Sequence, residues 1–168
     1  MSIFQQRLQT LKQILVDTGY YRWLIVSVLF FVLAFFFREP PFYSIAAFIA
    51  GSILFTTYDV VGYTAVTEAY TSKLLMSYRI MQTTFQYTLF FFIFVAYSGQ
   101  AAIAFLVFHW FGGDDVLYHW VGKYPLPPVW GWMNWTPLGL IFQKPLSKFV
   151  VLLQATVGMA LAIVICVT

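Results

Sequence analysis

Long apolar runs alternate along this chain with short polar or aromatic punctuation, and that alternation predicts its elements. Residues 1–19 keep a helical stripe: Phe4, Leu8, Leu11 and Leu15 repeat at 4-3-4 spacing, with Gln5, Arg7, Gln9, Lys12 and Asp17 on the other side. Such a helix lies flat at a membrane interface, or packs on a partner subunit. Tyr20-Tyr21-Arg22-Trp23 then opens an apolar run that closes at Arg38-Glu39-Pro40-Pro41. We read 20–38 as a first membrane span, because a cleaved signal would not carry the amphipathic segment before it. The double proline stops the helix and sets up an antiparallel hairpin.

A second span is predicted over 42–58, with the small-residue pairs Ala46/Ala50 and Ala47/Gly51 marking a packing side. After Tyr58 the pattern becomes polar but stays helix-forming, through Asp59, Tyr63, Glu68, Lys73 and Arg79. A third span is predicted within 84–108, rich in phenylalanine, with Ser98, Gly99, Ala101, Ala102 and Ala104 as a small-residue face. At 1.5 Å per residue it would extend roughly 37 Å, so it must tilt or protrude. Residues 109–147 form a long connection that holds every tryptophan except Trp23 and most of the prolines, a composition suited to the membrane surface. The last span is predicted over 149–167, with Gly158 and Ala162 as another small pair.

Composition turns this pattern into a fold class. The sequence of 168 residues is 61% hydrophobic and 9% charged, whereas soluble domains carry about 25% charged residues. The expectation is an all-α integral membrane protein in one domain. It would be a four-transmembrane-helix bundle with an N-terminal interfacial amphipathic helix and a long Trp/Pro-rich loop between spans three and four. The formal charge of +3 comes from scattered basic residues rather than a stripe, so no nucleic-acid partner is expected. Four spans place both termini on one side. There Arg7, Lys12, Arg22, Lys73 and Arg79 outnumber Arg38, Lys123, Lys144 and Lys148 opposite, of which Lys123 counts least because it lies far from a span, and this favours cytoplasmic termini. The single cysteine, Cys166, excludes an intrachain disulfide.

Candidate chemistry gathers in the stretch from His109 to Trp120, which contains both histidines. Asp115 and His119 stand four apart, on one face of a helical turn. Gly112-Gly113 permits a sharp bend that would bring His109 toward them. His109, Asp115 and His119 then offer a ligand set for one Zn, Cu or Fe ion, with Glu39 expected on the same membrane side. The plainer alternative makes Asp114 a helix N-cap, Asp115 a partner of the helix dipole and His119 a partner of Asp115. A second candidate is an ion or proton path through Asp59 and Glu68, with Gln100 in span three. Topology places these acids across the membrane from the histidines, so they are expected to form a separate site.

The aromatic wealth also suits a lipid, quinone or carotenoid. No phosphate loop, nucleophile elbow or metalloprotease motif is present. The leading expectation is therefore a structural or accessory subunit of a larger membrane complex, or a homo-oligomer, since three spans carry small-residue faces. The alternatives are a metal-dependent membrane enzyme acting on a lipidic or small apolar substrate, and an ion or proton pathway.

Overall fold

The computed structural model describes Gln9, residues 12–68 and residues 72–168. Most of the predicted 1–19 helix, and the side chain of Glu68, lie outside the described residues. Of that helix, residues 12–17 are helical, and Ile14 is buried against Tyr20, Val60, Val61 and Val121. Ile14 and Leu15 are thus used within the chain.

The protein is mostly helical: α1 (Tyr21–Phe36), α2 (Phe42–Glu68), α3 (Ser72–Ala96), α4 (Gly99–Trp110), α5 (Gly113–Val121), α6 (Pro137–Phe142) and α7 (Lys148–Val167). Two helical stretches, Phe42–Thr67 and Lys148–Val167, are long and apolar enough to cross a membrane; Tyr21–Phe36 and Gly99–Trp110 are shorter apolar helices. Among the described residues, strands are confined to a two-residue antiparallel pair, β1 (Val129–Trp130) with β2 (Leu146–Ser147), which ties the aromatic loop to the start of α7.

Named contacts fix how the helices run. Ser27 Oγ donates to the Ala50 carbonyl at 2.8 Å, and Phe37 packs on Phe42, so α1 and α2 form the hairpin that the prolines predict. Against α3, α2 is antiparallel, since Phe55 and Tyr58 stack on Phe85 while Tyr63 meets Tyr78.

The predicted third span is not one helix. Residues 84–108 break at Tyr97-Ser98, where Ser98 Oγ caps α4 by accepting from Ala101 N at 3.0 Å. Ser98 also meets Ser44 Oγ at 2.9 Å, which pins the turn to the hairpin end of the bundle. From there α4 returns alongside α2 until His109 reaches Phe55, with ring centroids 5.8 Å apart. The physical reason for the break is the Ser-Gly pair: an extended Ser98 satisfies the first free N–H of a new helix, and glycine follows without crowding it.

This extra reversal changes the parity. Helices α1, α3 and α7 run one way, and α2 and α4 run the other. Tyr20 packs with Val60 and Val61, whereas Cys166 packs in the cluster that holds Ala34 and Ala46. Residues 12–20 and Thr168 therefore sit at opposite ends of the bundle, in contrast to the expected shared side.

The core explains the small residues. Ala46, Ala47, Ala50, Gly51, Ala101, Ala102, Ala104, Gly158 and Ala162 are all buried within this one chain. A Cβ at Gly51 would lie 2.4 Å from Ile93 Cδ1, and one at Gly158 would lie 2.4 Å from Phe111 Cβ. The close approaches expected between subunits are used between the chain's own helices. Large apolar side chains face outward instead, with Phe36 74%, Val95 82% and Phe149 74% exposed. Apolar surface on that scale marks a face meant for something other than water.

Candidate functional site

Away from the hairpin end, the helices diverge around a polar chamber of about 650 Å³. Four elements and the aromatic loop wall it. Phe55, Asp59 and Tyr63 come from α2 at successive intervals of four, one helical stripe. Arg79, Gln82, Thr83 and Gln86 come from α3 at the 3-4-7 spacing of another. His109 ends α4; Asp114, Asp115, Tyr118 and His119 belong to α5; Trp132 and Trp135 close the loop side.

The bend between α4 and α5 sets the geometry. Gly112 takes φ +73°, a left-handed conformation, and a Cβ there would lie 2.3 Å from Met133 Cε. That turn brings Asp114 back to His109, whose Nδ1–H donates to Asp114 Oδ2 at 3.0 Å. With Nδ1 committed to the carboxylate, Nε2 carries the lone pair of the neutral ring, as in the His–carboxylate pairs that do acid–base work. The imidazole is held from both sides, stacked on Trp135 at 5.1 Å and edge-on to Phe55.

Asp114 is thus the histidine's partner rather than a helix cap; the cap position is Gly112, with no side-chain bond. Its other oxygen, Oδ1, is buried without a hydrogen-bond partner. Asp115 does not pair with His119. It accepts from Trp132 Nε1 at 3.2 Å, which draws the loop over the chamber. His119 turns its ring edge-on to Trp130, 4.9 Å away. Burial pushes the Asp114 and Asp115 carboxyls above the usual carboxylate range, against the pull of His109 on both and of Trp132 on Asp115. Burial pushes His119 below its usual range, opposed by the backbone of Pro125 and Tyr124.

Asp59 lies in this same chamber, which overturns its separation from the histidines. The reversal at Tyr97-Ser98 is the physical reason: one additional turn of the chain exchanges the sides on which Asp59 and the histidines are expected. Asp59 Oδ1 accepts from Gln82 Nε2 at 2.7 Å and from the Tyr78 hydroxyl, while Gln82 Oε1 accepts from Arg79 Nη1 at 2.7 Å. Gln82 therefore links the acid to the cation. Gln100 is exposed at the hairpin end, where the short turn carrying Glu39 also lies, so neither belongs to the chamber.

The expected metal set does not assemble. Among the described residues, no three His, Cys, Asp or Glu side chains converge as a group that could hold an ion. The reason is that Asp114, not Asp115, takes up the His109 ring, and His119 faces Trp130.

One side chain from α7 braces the roof. Buried Gln154 donates through Nε2 to the Phe111 carbonyl at 3.1 Å and accepts from Leu138 N–H at 2.8 Å. It ties the α4–α5 bend to the first turn of α6, which Thr136 caps. Beside the chamber a second hollow of about 320 Å³ shares Gln86, His109 and Trp135 with it and adds Tyr87, Leu106, Val107 and Trp110. Tyr87 and Trp110 are half or more exposed, so this groove opens outward between α3 and α4. Comparison with known protein families, characterised proteins and solved structures finds no match for this chain.

Proposed function

We propose that this chain is a multi-pass membrane protein that takes the polar head of an amphiphile into the chamber and its hydrocarbon chain into the adjoining groove. His109, held by Asp114, would move a proton at the bound head group. The observation that carries this reading is the position of His109, which Asp114 holds from the chamber side, in the wall shared by that chamber and an outward-opening apolar groove. A lipidic molecule fits such a junction because each half of it finds its own solvent. Helices α2 and α7 would cross the bilayer with α1, α3 and α4 packed alongside them, the exposed apolar side chains toward lipid and α5 and the aromatic loop at one surface.

Two of the other expectations fit less well. A through-going ion path would have to pass Phe48, Phe55, Ile93, Phe105 and Phe108, which fill the bundle between the chamber and the hairpin end. An accessory subunit was suggested by small-residue faces that are occupied inside the chain. The test is direct. Wild-type protein purified in mild detergent or incubated with a membrane lipid extract should carry an enriched amphiphile, and His109→Gln should carry less of it. Identical lipid profiles for the two proteins, with nothing enriched in either, would sink the proposal.

A further inference from the structure

The chamber's charges say which head group it suits. Three carboxylates, Asp59, Asp114 and Asp115, stand in its wall, against one permanent cation, Arg79, which is exposed and engaged with Gln82. His109 offsets only the Oδ2 side of Asp114 and leaves Oδ1 buried without a partner. A buried carboxylate oxygen in that state is costly unless something positive or protic approaches it. Aromatic rings complete the lining: Tyr63, Tyr118, Trp132 and Trp135 border the same space, Trp135 with one face stacked on His109.

Carboxylates among aromatic rings recognise diffuse organic cations, since the ring quadrupoles attract a charge too bulky for tight carboxylate ligation. A small hard ion would need converging oxygen ligands, and no such group forms among the described residues. An anionic head group would meet three carboxylates, against an exposed Arg79 and a His109 already engaged with Asp114.

We infer that the chamber binds an alkylammonium group, held by Asp115 with the charge of Asp114 behind it and packed against Trp132 and Trp135. This rests on the chamber being a ligand site, as in the proposed function, but the charge and the chain of the ligand can be tested apart. The full chain in nanodiscs is titrated calorimetrically, below micellar concentrations, with dodecyltrimethylammonium, dodecyl sulfate, dodecanol and choline. Dodecyltrimethylammonium should bind saturably and more tightly than the sulfate or the alcohol. Asp115→Asn should weaken it by about tenfold or more, because the amide keeps an acceptor for Trp132 but loses the charge. Asp17→Asn, on the exposed N-terminal helix, should leave it unchanged. Should Asp115→Asn fail to fold, Trp135→Leu provides the second variant, removing a ring and no charge, with the same direction of effect.

Sulfate or alcohol binding equal to the ammonium overturns the inference and leaves the amphiphile reading standing. Ammonium binding untouched by both variants overturns it as well. Choline bound as tightly as the dodecyl compound supports the ammonium site and removes the reason for a hydrocarbon chain in the groove.

Discussion

At the scale of single residues, the chamber depends on polar groups whose partners cannot be replaced by water. Tyr78 is buried and its hydroxyl serves Asp59. Tyr78→Phe should therefore lower stability by about 1–3 kcal/mol, as expected when a carboxylate loses a donor. Adding Asp59→Asn should cost less than the sum of the two single changes, measured by thermal unfolding in detergent as a double-mutant cycle. His119 gives a pH signature. Burial lowers its folded pKa below the unfolded value, so the neutral ring favours the folded state above the ordinary histidine range, about pH 6.5. That contribution is lost as pH falls through the folded pKa. His119→Gln should flatten the acid side of the melting-temperature curve relative to wild type. An unchanged curve would show that His119 titrates alike in both states.

At the scale of elements, the sequence was most legible where composition alone decides an outcome. The hairpin at Pro40-Pro41, the packing role of Ala46 to Gly51 and the last apolar helix follow from rules that hold whatever the neighbours do. The break at Tyr97-Ser98 was less visible, because Ser98 and Gly99 also fit a small-residue face on an unbroken helix. Their second meaning, a cap followed by a helix start, depends on Ser44 lying opposite. The stripes at Phe55, Asp59 and Tyr63 and at Arg79, Gln82, Thr83 and Gln86 were present in the sequence. They share one space only because α2 runs past Tyr58 to Glu68 and the chain reverses at Tyr97-Ser98. The His109–Asp114 pair could not be read from spacing, since five residues apart is not a helical neighbour distance. It exists because Gly112 bends the chain. Gly112→Ala should cost about 1–2 kcal/mol from the left-handed backbone alone, with Met133 displaced in addition. The loss should appear as a lower melting temperature together with changed Trp132 and Trp135 fluorescence.

At the scale of the whole molecule, five alternating helices make a bundle that is polar inside one half and apolar outside. The two ends of the described chain lie at opposite ends of this bundle. Single cysteines at Lys12 and at Thr168, each in a Cys166→Ala background, should react with a membrane-impermeant maleimide from opposite sides of sealed vesicles. Labelling of both from one side would restore the four-span topology and return Asp59 to the face away from His109. The loop over the chamber is bound to this architecture by Gln154, which grips the Phe111 carbonyl and the Leu138 N–H at once. A surface loop ordinarily exchanges its amide hydrogens within seconds to minutes, because small local openings expose them. Here the Leu138 amide can open only if the α7 side chain lets go of the α4–α5 bend. Its deuterium uptake should therefore follow the slow helices rather than the neighbouring loop, and Gln154→Leu should release it to exchange fast.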